Sequence, residues 1–174
     1  VYEGSINEES QDKETGYEQV APTVYALVAA IDAKDSFTFQ HSTNVSQYAV
    51  LLAQKLGLSR NDIQTVKVAG LLHDIGKIGI PESILKKAGK LTNEEYEIMK
   101  SHVEKSIEMI HYLPNMNYVI PAVVSHHERY DGKGYPRGIK GEEIPFLGRI
   151  LAVCDSFDAM ISKRAYKEQI GRAS

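Results

Sequence analysis

Five histidines and two aspartates of this chain stand in groupings that suit metal chemistry. His73 and Asp74 are adjacent and are followed by Gly76 and Lys77. His126 and His127 precede Glu128, Asp131, Gly132, Gly134, Tyr135 and Pro136, while His41, His102 and Asp155 stand apart. Imidazole and carboxylate are common protein ligands for Zn, Mn, Fe, Co and Ni. Seven such groups exceed the need of one ion, which takes about four to six ligands. Two ions sharing a carboxylate suit phosphoester cleavage, because they acidify a bound water and neutralise charge on phosphoryl oxygens. Asp74 is the choice for the shared ligand. Adjacent helical residues diverge by about 100°, which hinders His73 and Asp74 from chelating one ion. The same divergence suits a carboxylate that reaches across two ions while its neighbour binds one. His111 has no motif around it and is read as an ordinary histidine. Lys86, Lys87 and Lys90 are read as a solvated surface cluster.

These groups must be positioned by helices. Val24, Leu27, Val28 and Ile31 recur at helical spacing after Pro22. A second helix is predicted over Ser42–Leu56, with Val45, Tyr48, Ala49, Leu52 and Leu56 on one face and Gly57 as its C-cap. Ser59 caps the next, with Asp62 three residues on; Ile63, Val66, Val68, Leu71 and Leu72 carry it to His73. Thr92 and Glu95 form a capping box that opens a helix to about His111. Val119–Glu128 reads as another helix, with Pro121 in its first turn. Gly132, Gly134, Gly138 and Gly141 mark a loop, and a last helix spans about Pro145–Ile161. No alternating strand pattern is visible, so the fold class is all-α. Residues 1–20 are acidic and polar and are expected to be a flexible lead-in or linker, leaving 21–174 as the domain.

The composition fits a soluble globular domain, with 43% hydrophobic and 25% charged residues. A net charge of −3 argues against duplex DNA or an anionic membrane as the main partner. The single cysteine, Cys154, forms no internal disulfide. It is read as a small buried apolar residue beside the site. No apolar run reaches bilayer length, and the polar start is not a signal peptide. Together these features predict a cytoplasmic protein.

The chain resembles the HD-GYP domain, a branch of the HD phosphohydrolase superfamily. The stretches that carry the likeness are HDIGKIGIP (73–81), HHERYDGKGYP (126–136), RILAVCDSFDAM (149–160) and KRAYK (163–167), with HSTNVSQYA (41–49) and KSH (100–102) at the expected places. The resemblance covers about residues 21–168. It implies an all-α HD-domain helical bundle with a Gly-rich GYP loop. It also implies bacterial second-messenger signalling through hydrolysis of cyclic di-GMP, by way of pGpG, to GMP. The implied cofactor is a pair of divalent transition-metal ions, Fe or Mn first, with Ni, Co or Zn as alternatives. By motif, His41, His73, Asp74 and Asp155 would hold one ion, and Asp74, His102, His126 and His127 the other, with a hydroxide between them as nucleophile. Lys77 would contact the scissile phosphate. Tyr135, Arg164 and Lys167 would hold the remaining phosphates or a guanine. GGDEF-domain proteins are implied as partners of the GYP loop, and an upstream receiver or sensor domain follows from family habit.

The departures from the family pattern are specific. Some members bind a third ion through a Glu one turn before the first His; Phe37 stands there, so two ions are expected. Val103 and Ser106 replace a usual Pro and Gly after His102, with little effect expected. The family continues for several helices beyond the Arg-x-Tyr segment, whereas this chain reaches Ser174. An exposed apolar surface and a homodimer are expected if that continuation is absent. Two other functions compete: an HD phosphohydrolase acting on another nucleotide, a different cyclic dinucleotide included, and a non-catalytic nucleotide-binding or GGDEF-interaction module. The intact set of seven ligands favours the enzyme over a non-catalytic module, and the GYP loop argues against a plain HD enzyme without fixing the base.

Overall fold

The computed structural model describes residues 17–31 and 38–162. Phe37, Arg164 and Lys167, and most of the expected lead-in, lie outside the described residues. Helix α1 covers residues 17–31, α2 Thr38–Lys55, α3 Arg60–Leu72 and α4 Glu82–Leu85. They are followed by α5 Asn93–Lys100, α6 His102–His111, α7 Ile120–Ser125 and α8 Phe146–Ile161. Short 3-10 turns occur at Ile75–Gly79, Asn117–Val119 and Gly141–Glu143, and no strand occurs among the described residues. The all-α expectation holds.

The apolar stripes face one core. Val24, Val28 and Ile31 of α1, Val45, Ala49 and Ala53 of α2, and Val66, Val68, Leu71 and Leu72 of α3 are all buried there. Helix α2 packs along α3 and α8, and α7 lies against α8 and α6. Caps set the helix starts: Ser59 Oγ accepts from the Asp62 N–H at 3.1 Å, and Thr92 and Glu95 form the full capping box.

Several boundaries differ from expectation, among them α2, which starts at Thr38 and not Ser42. Helix α1 already includes Tyr17 and Val20, both buried, within the segment expected to be a lead-in. The predicted helix to His111 is two helices, because the chain turns at Ser101 and re-enters α6 at His102. The predicted Val119–Glu128 helix ends at Ser125. It unwinds there because Glu128 turns back to accept the Arg137 N–H at 2.7 Å, and His127 O accepts the Tyr135 N–H at 3.2 Å. Leu56 lies beyond the end of α2 and is 51% exposed rather than in the core. On α8, Val153, Phe157 and Met160 form an exposed apolar stripe. No described helix is long and apolar enough to cross a membrane.

Candidate metal centre

Helix ends and one helix middle converge on a buried pocket of ligand atoms. His41 comes from α2, His73 from the end of α3, and Asp74 from the turn after it. His102 opens α6, His126 and His127 follow α7, and Asp155 lies within α8. They form two groups, Asp74–His102–His126–His127 and His41–His73–Asp155, with the ligand atoms of each within 4.8 Å of one another. Asp74 faces both. Its Oδ2 is 3.3 Å from His73 Nε2 and 3.9 Å from His41 Nε2, and its Oδ1 is 3.3 Å from His102 Nε2. His41 Nε2 lies 3.1 Å from Asp155 Oδ1. All seven residues expected from the sequence therefore meet at one place.

The backbone fixes which ring nitrogen points inward. His73, His102 and His126 each direct Nδ1 to the carbonyl three residues back, on Gly70 at 2.8 Å, Met99 at 2.7 Å and Val123 at 2.6 Å. A carbonyl only accepts, so each Nδ1 carries a proton, and in the neutral ring each Nε2 keeps its lone pair for the pocket. Those three Nε2 atoms and Asp74 Oδ1 are buried without a hydrogen-bond partner. Several buried acceptors aimed at one point cost free energy unless a cation meets them. The donor set thus fits divalent metal ions.

Burial and charge tune the same groups. Burial pushes His127 down to about 4, and it also lowers His102 and, more strongly, His126. For His73 burial acts downward too, but Asp74 and Asp155 outweigh it and hold the imidazole above its usual range. Burial would raise Asp74, yet Lys77 and then His73 keep its carboxyl well below the carboxylate range. Lys77 Nζ donates to Asp74 Oδ2 at 2.6 Å from the mouth of the cluster. Burial also raises the Cys154 thiol to about 11, in line with a small buried residue and not a redox group.

A stability prediction follows. His102, His126 and His127 have folded values below 6.5, so the unfolded chain binds more protons as pH falls below that value. The stability they contribute is present above 6.5 and lost toward about 4. His73 acts in the opposite sense, since its contribution is present below 6.5 and lost as pH rises through its raised value. Three groups outweigh one, and the depressed aspartates titrate below this window. Metal-free protein should melt at a lower temperature at pH 5 than at pH 7 by circular dichroism. An equal or higher melting temperature at pH 5 would contradict three buried neutral imidazoles.

The sequence reading missed three residues that hold this arrangement. Asp158 is fully buried on α8; its Oδ2 lies 2.7 Å from His41 Nδ1, and its Oδ1 accepts from Asn44 Nδ2 at 2.8 Å. The signal was present: a second Asp one helical turn after Asp155 on an otherwise apolar face. Ser106, expected to matter little, is buried, donates to His73 O at 3.0 Å and accepts the Gly76 N–H at 2.8 Å. Asn44 is the third, one turn after His41. Asp158→Ala should weaken metal binding about 10- to 100-fold, because His41 loses the carboxylate that orients it. Competition with a chelating dye measures this, and unaltered affinity would leave Asp158 a core residue only.

Of the expected substrate contacts, Lys77 and Tyr135 stand beside the cluster. The Tyr135 ring stacks on His127 with centroids 4.7 Å apart. His111 lies away from the site, exposed, with Nδ1 2.9 Å from Asn117 Oδ1.

The HD-domain family model matches residues 26–173. Among curated relatives, the cyclic di-GMP phosphodiesterase response regulator RpfG of Xanthomonas campestris is 43% identical over 87% of this chain and 40% of its own length. The 3'3'-cGAMP-specific phosphodiesterase 2 of Vibrio cholerae is 41% identical over 83% of this chain and 28% of its own. A cyclic di-GMP phosphodiesterase of Thermotoga maritima is 45% identical over 77% and 37%. The chain therefore spans well under half the length of these relatives. The solved structure of Bd1817, an HDG"Y"P protein from Bdellovibrio bacteriovorus, superposes with a TM-score of 0.61. It covers 91% of this chain and 53% of that one at 22% identity, a likeness of fold.

Proposed function

The chain belongs to the HD-domain family and carries the motif set of its HD-GYP branch, and we propose that it is a metal-dependent phosphodiesterase that hydrolyses cyclic di-GMP. The observation that carries this reading is Asp74, whose two carboxylate oxygens face two separate groups of imidazoles. His41, His73, Asp74 and Asp155 would hold one divalent ion, and Asp74, His102, His126 and His127 the other. Fe or Mn suits this mixture of imidazole and carboxylate, with Ni, Co and Zn as alternatives. When bound, such a pair neutralises charge on phosphoryl oxygens and acidifies a water.

The chain's own groups supply the rest. The Nδ1–carbonyl bonds hold three imidazoles in place, so these rings need not reorient when substrate arrives. Lys77 is a partly exposed cation at the mouth, within reach of a phosphoryl oxygen, and it exchanges Asp74 for the phosphate. Tyr135 presents a ring beside His127 on which a base stacks. Arg164 and Lys167 keep their proposed place as ligands of the remaining phosphates or a guanine on the strength of the KRAYK motif.

The similarity to enzymes named for 3'3'-cGAMP favours one second reading, a hybrid cyclic dinucleotide as substrate. Chromatography of products from metal-loaded protein incubated with cyclic di-GMP, 3'3'-cGAMP and cyclic di-AMP separates the two. Formation of pGpG or GMP fastest from cyclic di-GMP supports the first reading. Faster loss of 3'3'-cGAMP supports the second. Binding without product would make the chain a nucleotide-binding module.

A further inference from the structure

Two side chains next to the cluster take no part in the chemistry above. The Thr92 capping box starts α5 so that Tyr96 and Lys100, four residues apart, share one face. The Tyr96 ring meets the Tyr135 ring edge-on, with centroids 6.3 Å apart and planes at 81°. Lys100 Nζ stands 5.3 Å from the Tyr96 centroid and 5.7 Å from the Tyr135 centroid. Tyr135 in turn stacks on His127, its plane tilted by 26°. A continuous path thus runs from the buried ligands through His127 and Tyr135 to Tyr96, which is 48% exposed. Lys100 also pairs with Glu97 Oε1 at 2.6 Å, but that carboxylate is 69% exposed. A solvated pair of this kind holds the ammonium weakly.

Resting on the phosphodiesterase reading, we propose that Tyr96 and Lys100 form a guanine-selecting ledge at the rim of the centre. A phosphate at the cluster would direct its nucleoside outward past Tyr135, to the half-exposed Tyr96 ring, over which Lys100 Nζ stands. Aromatic faces stack any base, so Tyr96 supplies affinity without choice. Lysine is a donor only. Guanine presents two acceptors, O6 and N7, that an ammonium can meet together, whereas adenine replaces O6 with an amine donor. Lys100 therefore supplies the choice. Lys100 is thus the specificity-determining residue and Tyr96 the residue that adds affinity, and neither touches the reacting atoms.

Steady-state kinetics and calorimetric binding of the metal-loaded wild type, Tyr96→Ala and Lys100→Met test this with cyclic di-GMP and cyclic di-AMP. Tyr96→Ala should raise KM for both nucleotides by about 5- to 100-fold, with kcat and metal content unchanged. Lys100→Met should raise KM for cyclic di-GMP by about tenfold and leave that for cyclic di-AMP alone. Unchanged KM in both variants overturns the ledge, as does an equal effect of Lys100→Met on both nucleotides or a loss confined to kcat and metal content. If the wild type cleaves neither nucleotide, the phosphodiesterase reading fails by itself. Calorimetry then still decides the ledge: weaker cyclic di-GMP binding by Lys100→Met supports it, and unaltered Kd overturns it.

Discussion

Asp74→Asn is expected to lower phosphodiester hydrolysis by about a thousandfold or more while the protein stays folded. The substitution keeps the shape of the side chain and removes its charge. One carboxylate oxygen becomes an NH2 group, a donor facing either His102 Nε2 or the His41 and His73 pair. Each group of imidazoles then loses the negative ligand that it shares with the other, so metal content should fall together with kcat. The fold should survive, because a buried amide costs less to desolvate than a buried carboxylate. Elemental analysis and a thermal melt alongside the assay separate these effects. Retention of more than about a tenth of the activity with both ions still bound would remove Asp74 from the bridging position.

Gly76→Ala should destabilise the chain by about 2–4 kcal/mol and disperse both ligand groups. A Cβ at Gly76 would lie 2.0 Å from His102 O, 2.5 Å from Ser106 N and 2.9 Å from Lys105 Cβ. The first two are backbone atoms and cannot swing aside. The turn would have to retreat from α6, which breaks the Gly76 N–H to Ser106 Oγ bond and the Ser106 Oγ to His73 O bond. His73 and Asp74 would then be drawn away from His102. Gly89→Ala is the control, since nothing lies within 4 Å of a Cβ there. Urea midpoints measure the difference, and an unchanged midpoint for Gly76→Ala would show that the turn yields freely.

Gly134 obeys the same logic on the other side of the centre. A Cβ there would meet the Arg129 backbone nitrogen at 2.3 Å and His127 O at 2.5 Å. The close approach brings Tyr135 onto His127. In both places the sequence displayed the glycine but not the strand of backbone it must pass.

That contrast explains what was legible in the sequence. Ligand identity was readable because His–Asp and His–His pairs are rare, and the helices were readable from their apolar spacing. The partition of ligands between two groups was expected only through the family resemblance, since spacing along the chain does not say which helices face each other. Asp158, Asn44 and Ser106 escaped notice for a related reason. Each acts by orienting another residue or closing a turn, and such a role depends on a partner distant in sequence: Asp158 bonds His41 across 117 positions and Ser106 bonds His73 across 33. The break at Ser101 and the early end of α7 were hidden as well. Helical propensity runs through both sites, and it is tertiary bonding that turns the chain toward the centre.

The central proposal is that Asp74 and the six residues around it would hold two ions, and that the proposed hydrolysis of a cyclic dinucleotide needs both. Titrating Mn or Fe into metal-free protein while following cyclic di-GMP breakdown tests it most directly. Activity should climb with added metal and level off at about two equivalents per chain, with pGpG or GMP as product. Saturation at a single equivalent, or an unchanged nucleotide at every metal concentration, would contradict it.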